Sequence, residues 1–116
     1  MHPDSAKYLW DVVRYAAALV ERFIAGKGFD ECASDLLVKS AVERQLEIIG
    51  EALNALSRKD LSTAANIAEL PRIGAFRNLL IHGYANADDP LVWGVVKTKL
   101  PTLQATIERL LAPNAD

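Results

Sequence analysis

The apolar residues of this chain recur three and four positions apart along almost its whole length, with no strand-like alternation. That spacing gathers them on one stripe of an α-helix and leaves no face for a β-strand to bury. The first stripe is Tyr8, Leu9, Val12, Val13, Ala16, Val20, Phe23 and Ile24, with Lys7, Asp11 and Arg14 among its polar positions. Asp4 or Ser5 would cap its start, and Gly26 and Gly28 supply stop signals at its end. A loop through Phe29 and Asp30 leads to a second helix, from about Ser34 to Leu56, whose stripe is Val38, Val42, Ile49, Leu53 and Leu56. In the less regular segment 59–70, Ser62 is placed to cap a short helix through Ile67.

Pro71 suits the first turn of a third helix, which runs to about His82 and ends at Gly83. In the turn ANADD, Asp88 or Asp89 caps the last helix and Pro90 takes its first position. Trp93, Val96, Leu100, Leu103, Ile107, Leu110 and Leu111 form the last stripe. Pro101 lies inside that helix and should kink it, because its ring displaces a backbone hydrogen bond. Trp10 and Trp93 are expected in the core, and the tail from Pro113 is expected to fray.

Four principal helices with short connections predict an all-α, up-and-down four-helix bundle with one additional short helix. The 116 residues suit one domain over 1–116, and 51% hydrophobic against 24% charged residues is a globular balance. The lone Cys32 has no internal disulfide partner and gives no reason to look beyond a reducing compartment. Asp4, Lys7 and Asp11 interrupt any early apolar run, and Glu21 and Arg22 break the most apolar part of the first helix. A soluble cytoplasmic protein without a membrane partner is the expectation.

A net charge of -2 argues against a protein that coats nucleic acid non-specifically. The charge is unevenly placed, however: between Glu69 and Asp88 the only charged side chains are Arg72 and Arg77. This is the segment that carries RNLLIHGY (77–84), where the chemistry concentrates. Arg77 offers a fixed fork of donors suited to a phosphate, and His82 titrates near neutral pH. Cleaving RNA without a metal needs those two abilities, one group to move protons and one to hold charge on the phosphoryl oxygens. The bland alternative is an exposed arginine and a histidine that caps its helix. On a regular helix five residues put Arg77 and His82 about 140° apart, whereas Asn78 and His82 share a face. A convergent site therefore needs the helix to deform at Gly83, or a second chain to complete it, which makes a homodimer part of the hypothesis.

A second constellation is Arg44, Glu47 and Glu51, one stripe of the second helix with Gly50 between them, opposite the Val42, Ile49 and Leu53 face. It is either a solvated face or, since a mid-helix glycine suggests close approach of another helix, an interface. His2, at the terminus, is incidental. Two histidines and one cysteine at unrelated positions make no metal-ligand pattern, and no cofactor motif is present.

Three blocks, VERQLEIIGEAL (42–53), FRNLLIHGY (76–84) and LVWGVVKTKLPTL (91–103), resemble in that order the HepT-like branch of the HEPN superfamily of small prokaryotic helical bundles. The resemblance runs from YLWDVV to the final leucines. Its defining motif of arginine, polar residue, spacer and histidine matches Arg77, Asn78 and His82, and Tyr84 matches the tyrosine two residues on. The resemblance implies a metal-independent endoribonuclease toxin acting on transfer or messenger RNA, with catalytic arginine and histidine meeting at a homodimer cleft. It also implies a partner, a minimal nucleotidyltransferase antitoxin of the MNT type, which attaches AMP to the tyrosine. One departure is NIAELPRIGAF (66–76), which lacks the tryptophan that often precedes the motif. The competing reading is a non-catalytic helical module that binds a nucleotide or docks a nucleotidyltransferase.

Overall fold

The computed structural model describes residues 3–67 and 89–112, the side chains at positions 11–13, 89 and 91 excepted. It is all-α, with no strand among the described residues. Helix α1 covers residues 3–24 as an α-helical start, Pro3–Lys7, a π-helical stretch, Tyr8–Arg14, and a further α-helical run, Tyr15–Ile24. A short α2 (Phe29–Ser34) precedes the long α3 (Leu36–Lys59), and one turn, α4 (Leu61–Ala64), follows it. Helix α5 covers residues 89–111, again with a π-helical stretch, Val95–Lys99, between α-helical runs Asp89–Gly94 and Leu100–Leu111. The expected third helix and the frayed tail lie outside the described residues.

The core is built by the stripes read from the sequence. Leu9, Ala16, Ala17 and Val20 of α1 meet Val42, Leu46, Ile49, Leu53 and Leu56 of α3, and Val96, Leu100, Leu103 and Ile107 of α5. All are buried, and burying each large aliphatic side chain contributes about 1.5–3 kcal/mol before the cost of ordering it. The start of α1 meets the end of α3, where Asp4 faces Lys59 at 3.7 Å. Arg14, midway along α1, pairs with Glu108 near the end of α5 at 2.7 Å. Phe29, just past α1, meets Trp93 near the start of α5 edge-on at 6.0 Å. Helix α1 is thus antiparallel to both α3 and α5, as an up-and-down bundle requires.

Several local expectations change. The stretch read as a loop through Phe29 and Asp30 is helical, and α3, expected from about Ser34, starts at Leu36 with Asp35 as its cap, the carboxylate accepting from the Leu37 and Val38 N–H groups. Gly26 is the stop for α1: its φ of +73° is the left-handed region that glycine enters without cost from a Cβ. Helix α4 is capped by Asp60, not Ser62, through the Thr63 N–H at 3.1 Å. Where a kink at Pro101 is expected, α5 shows a π-helical turn just before it. The proline's missing N–H and bulky ring disturb the turn before it, and that turn widens to π geometry, with the Leu100 N–H reaching back to the Val95 carbonyl. Trp10 is the clearest departure: it is 52% exposed, not core. Its expected burial rests on residue type alone, since Trp10 is not on the apolar stripe read for this helix, whose Leu9, Ala16 and Val20 are buried.

Candidate functional site

The candidate residues Arg77, Asn78, His82 and Tyr84 lie outside the described residues, as does His2. What the described residues give is the frame that flanks the motif segment, ending at Ile67 on one side and resuming at Asp89 on the other. Both ends of that frame are anchored, since Ile67 is buried in the core and Val92 packs against it.

The Ile67 end is tied down by a polar knot that sequence reading missed. Asp60, buried between α3 and α4, accepts hydrogen bonds from the Ser5 hydroxyl at 2.8 Å and the Thr63 hydroxyl at 2.6 Å. It also accepts from the Thr63 N–H and, at 3.1 Å, from the Ser62 hydroxyl. Ser5 is wholly buried, so it serves as a donor to a residue 55 positions away rather than as the cap of α1. The usable signal was Asp60-Leu-Ser-Thr, an aspartate three residues before a threonine, which is a helix-capping spacing. Beside the knot, Lys59 is held above the ordinary lysine value, first by its hydrogen bond to Tyr8 and the charge of that group, then by the Asp4 carboxylate.

At the opposite end of the bundle Ile24, Phe29, Cys32, Val38, Trp93 and Val96 help line a small pocket. Its walls are almost wholly apolar, and Lys39 is the one charged side chain among its lining residues. Burial pushes the Cys32 thiol above its ordinary value, which makes it a poor nucleophile.

On α3 the second constellation is partly assembled. Arg44 Nη1 and Glu47 Oε2 pair at 3.2 Å across one turn, and Arg44 and Glu51 are exposed. Gly50, placed on that stripe by its spacing, is buried, because the inner arc of α3 is wider than the Val42–Ile49–Leu53 line and takes in Leu46, Gly50 and Ala52 as well. Among the described residues no group of three or more His, Cys, Asp or Glu side chains is placed to hold a metal ion, and no helix is long and apolar enough to cross a membrane.

Comparison with known proteins places the chain in a family. The family model "Ribonuclease HepT-like" matches residues 13–110, a span that contains the whole RNLLIHGY motif. "Putative RNase MJ1380" of Methanocaldococcus jannaschii is 30% identical over 105 residues, covering 90% of this chain and 94% of that protein. "Probable ribonuclease HepT" of Thermococcus cleftensis is 34% identical over 105 residues, covering 89% and 92%. "Putative RNase TTE0752" of Caldanaerobacter subterraneus is 28% identical over 104 residues, covering 90% and 91%. No solved structure matches the chain significantly. With the match spanning all but the chain's two ends, and a helical bundle to carry it, this protein belongs to the HepT-like ribonuclease family of the HEPN superfamily.

Proposed function

We propose that the protein is a metal-independent endoribonuclease toxin of a toxin–antitoxin pair, acting in the cytoplasm as a homodimer. The observation that carries this reading is the complete motif Arg77, Asn78, His82, Tyr84 inside the span matched by the ribonuclease family. His82 accepts the proton of a ribose 2′-OH, and the freed oxygen attacks the adjacent phosphorus. The bond from phosphorus to the 5′ oxygen breaks, and that oxygen takes a proton from an imidazolium, supplied by His82 of the partner subunit. The products are a 2′,3′-cyclic phosphate and a 5′-hydroxyl end. Arg77 holds the charge that builds on the phosphoryl oxygens, and Asn78 orients His82 or the phosphate through hydrogen bonds. On a regular helix five residues would set Arg77 and His82 about 140° apart, which supports a site completed by a second protomer. The exposed Arg44 and Glu51, with the half-buried Glu47 between them, contribute to the protomer contact.

Tyr84 is the switch in this scheme. A nucleotidyltransferase antitoxin of the MNT type attaches AMP to it, which sets a negative phosphate beside Arg77 and fills the cleft that RNA would occupy. Arg77→Ala and His82→Ala are expected to abolish cleavage while light scattering still reports a dimer, and EDTA is expected to leave wild-type cleavage intact. Intact-mass analysis with the transferase and ATP should add AMP to wild type and not to Tyr84→Phe. Full cleavage by a folded His82→Ala protein, or a mass gain that survives Tyr84→Phe, would count against the scheme.

A further inference from the structure

We infer that Trp10 and Arg14, with Tyr15 beside them, form a stacking platform for single-stranded RNA on the outer face of α1. This rests on the ribonuclease reading, which supplies the ligand class, and adds a contact surface remote in sequence from the motif. Trp10 is 52% exposed and Tyr15 64% exposed, although both are large aromatics that folding would ordinarily bury. The Arg14 guanidinium carbon sits 4.0 Å from the centroid of the Trp10 ring. Arg14 Nε is in turn held by Glu108 of the neighbouring α5 at 2.7 Å, so the cation is tethered beside the ring.

The backbone explains why these residues gather. Tyr8–Arg14 is π-helical. At about 4.4 residues per turn, positions 10 and 14 are only about 35° apart and position 15 about 50° from position 10. On a regular α-helix positions 10 and 15 would diverge by about 140°. Arg14, one turn on, can stack on Trp10 in either geometry, and the widened turn swings Tyr15 toward them, at the cost of poorer helical hydrogen bonding. Lys7, also exposed, precedes Trp10 by three residues.

An exposed indole backed by a guanidinium presents what an unpaired base stacks on, with cationic groups nearby for its phosphate. This chain has a net charge of -2, so a diffuse basic surface cannot supply its hold on RNA. Stacking can, and does so without demanding a particular base. A self-association face is the competing use of exposed aromatics. A ring already covered on one side by a tethered cation suits a planar π ligand better than the aliphatic packing of a protomer contact.

The test uses the full-length protein and a labelled, mixed-sequence, single-stranded 2′-O-methyl oligonucleotide, which the proposed cleavage chemistry cannot cut. Trp10→Ala should weaken binding roughly tenfold or more, and Trp10→Phe by no more than about threefold, since a smaller ring still stacks. In a Trp93→Phe protein, Trp10 is the remaining tryptophan, and its fluorescence should be quenched by the oligonucleotide. That measurement stands even if Trp10→Ala folds poorly. Unchanged affinity of a folded Trp10→Ala, absent quenching, or a shift in molar mass with unchanged affinity per protomer would overturn the platform. So would a wild-type protein that cleaves RNA without binding the oligonucleotide, and there the ribonuclease reading would survive. A wild type that neither binds nor cleaves RNA would remove both.

Discussion

Replacing Asp60 with alanine should destabilise the fold by about 3 kcal/mol, and the structure says where each part of that arises. The carboxylate accepts from the Thr63 N–H, the first-turn bond of α4, and losing such a cap costs about 1 kcal/mol. It also accepts from the hydroxyls of Ser5 and Thr63, both buried, and each loss costs about 1 kcal/mol with the donor left unsatisfied. The Ser62 hydroxyl is exposed enough for water to replace the carboxylate, so its bond adds little. Ser5→Ala alone should cost about 1 kcal/mol, because the carboxylate keeps its other donors. The double variant should then cost about 3 rather than 4 kcal/mol, since the Ser5–Asp60 bond is lost only once. Urea unfolding followed by circular dichroism, at one fixed protein concentration, measures all four proteins. A lower midpoint with an unchanged slope is the expected signature. A loss under about 0.5 kcal/mol for Asp60→Ala, or strict additivity in the cycle, would refute the claim that this knot ties α1 to the α3–α4 corner.

Other substitutions probe other parts of the frame. Leu103→Ala, at a wholly buried site in the core, should cost about 2–5 kcal/mol in the same assay. Gly26→Ala should cost about 1 kcal/mol through its φ of +73° alone, since an added Cβ meets nothing within 4 Å, whereas Gly28→Ala should be nearly neutral. Cys32 should react with a thiol reagent far more slowly in the native protein than in urea. Because folding raises its pKa, its contribution to stability is intact below the ordinary thiol value and declines as pH rises through the raised one. A midpoint that rises with pH in a comparison with Cys32→Ala would contradict that sign.

The core was legible because its signal is redundant. Val42, Ile49, Leu53 and Leu56 on α3, and Val96, Leu100, Leu103 and Ile107 on α5, keep helical period over three turns or more, so one anomalous residue cannot shift the pattern. Trp10 was misplaced because its size and apolarity were weighed above its position, which lies off the Leu9, Ala16 and Val20 stripe, and nothing in YLWDVVR marks a π stretch as Pro101 marks the one before it in α5. Caps were harder, since Asp35 and Asp60 compete with nearby serines that have the same capping chemistry, and backbone geometry rather than residue type decides. Ser5 shows the limit: its partner is 55 residues away, and no local rule pairs them. The candidate site was legible in another way. The Arg77–His82 spacing is loose on its own, and it gained meaning from the ordered blocks around it, which the family match over residues 13–110 now spans.

The most direct test of the central claim is to incubate purified wild-type and His82→Ala proteins with total RNA and sequence the newly formed ends. The account predicts discrete new 5′-hydroxyl ends with wild type and none with a folded His82→Ala protein. The same ends with both proteins, or no new ends with a folded, unmodified wild type, would contradict it.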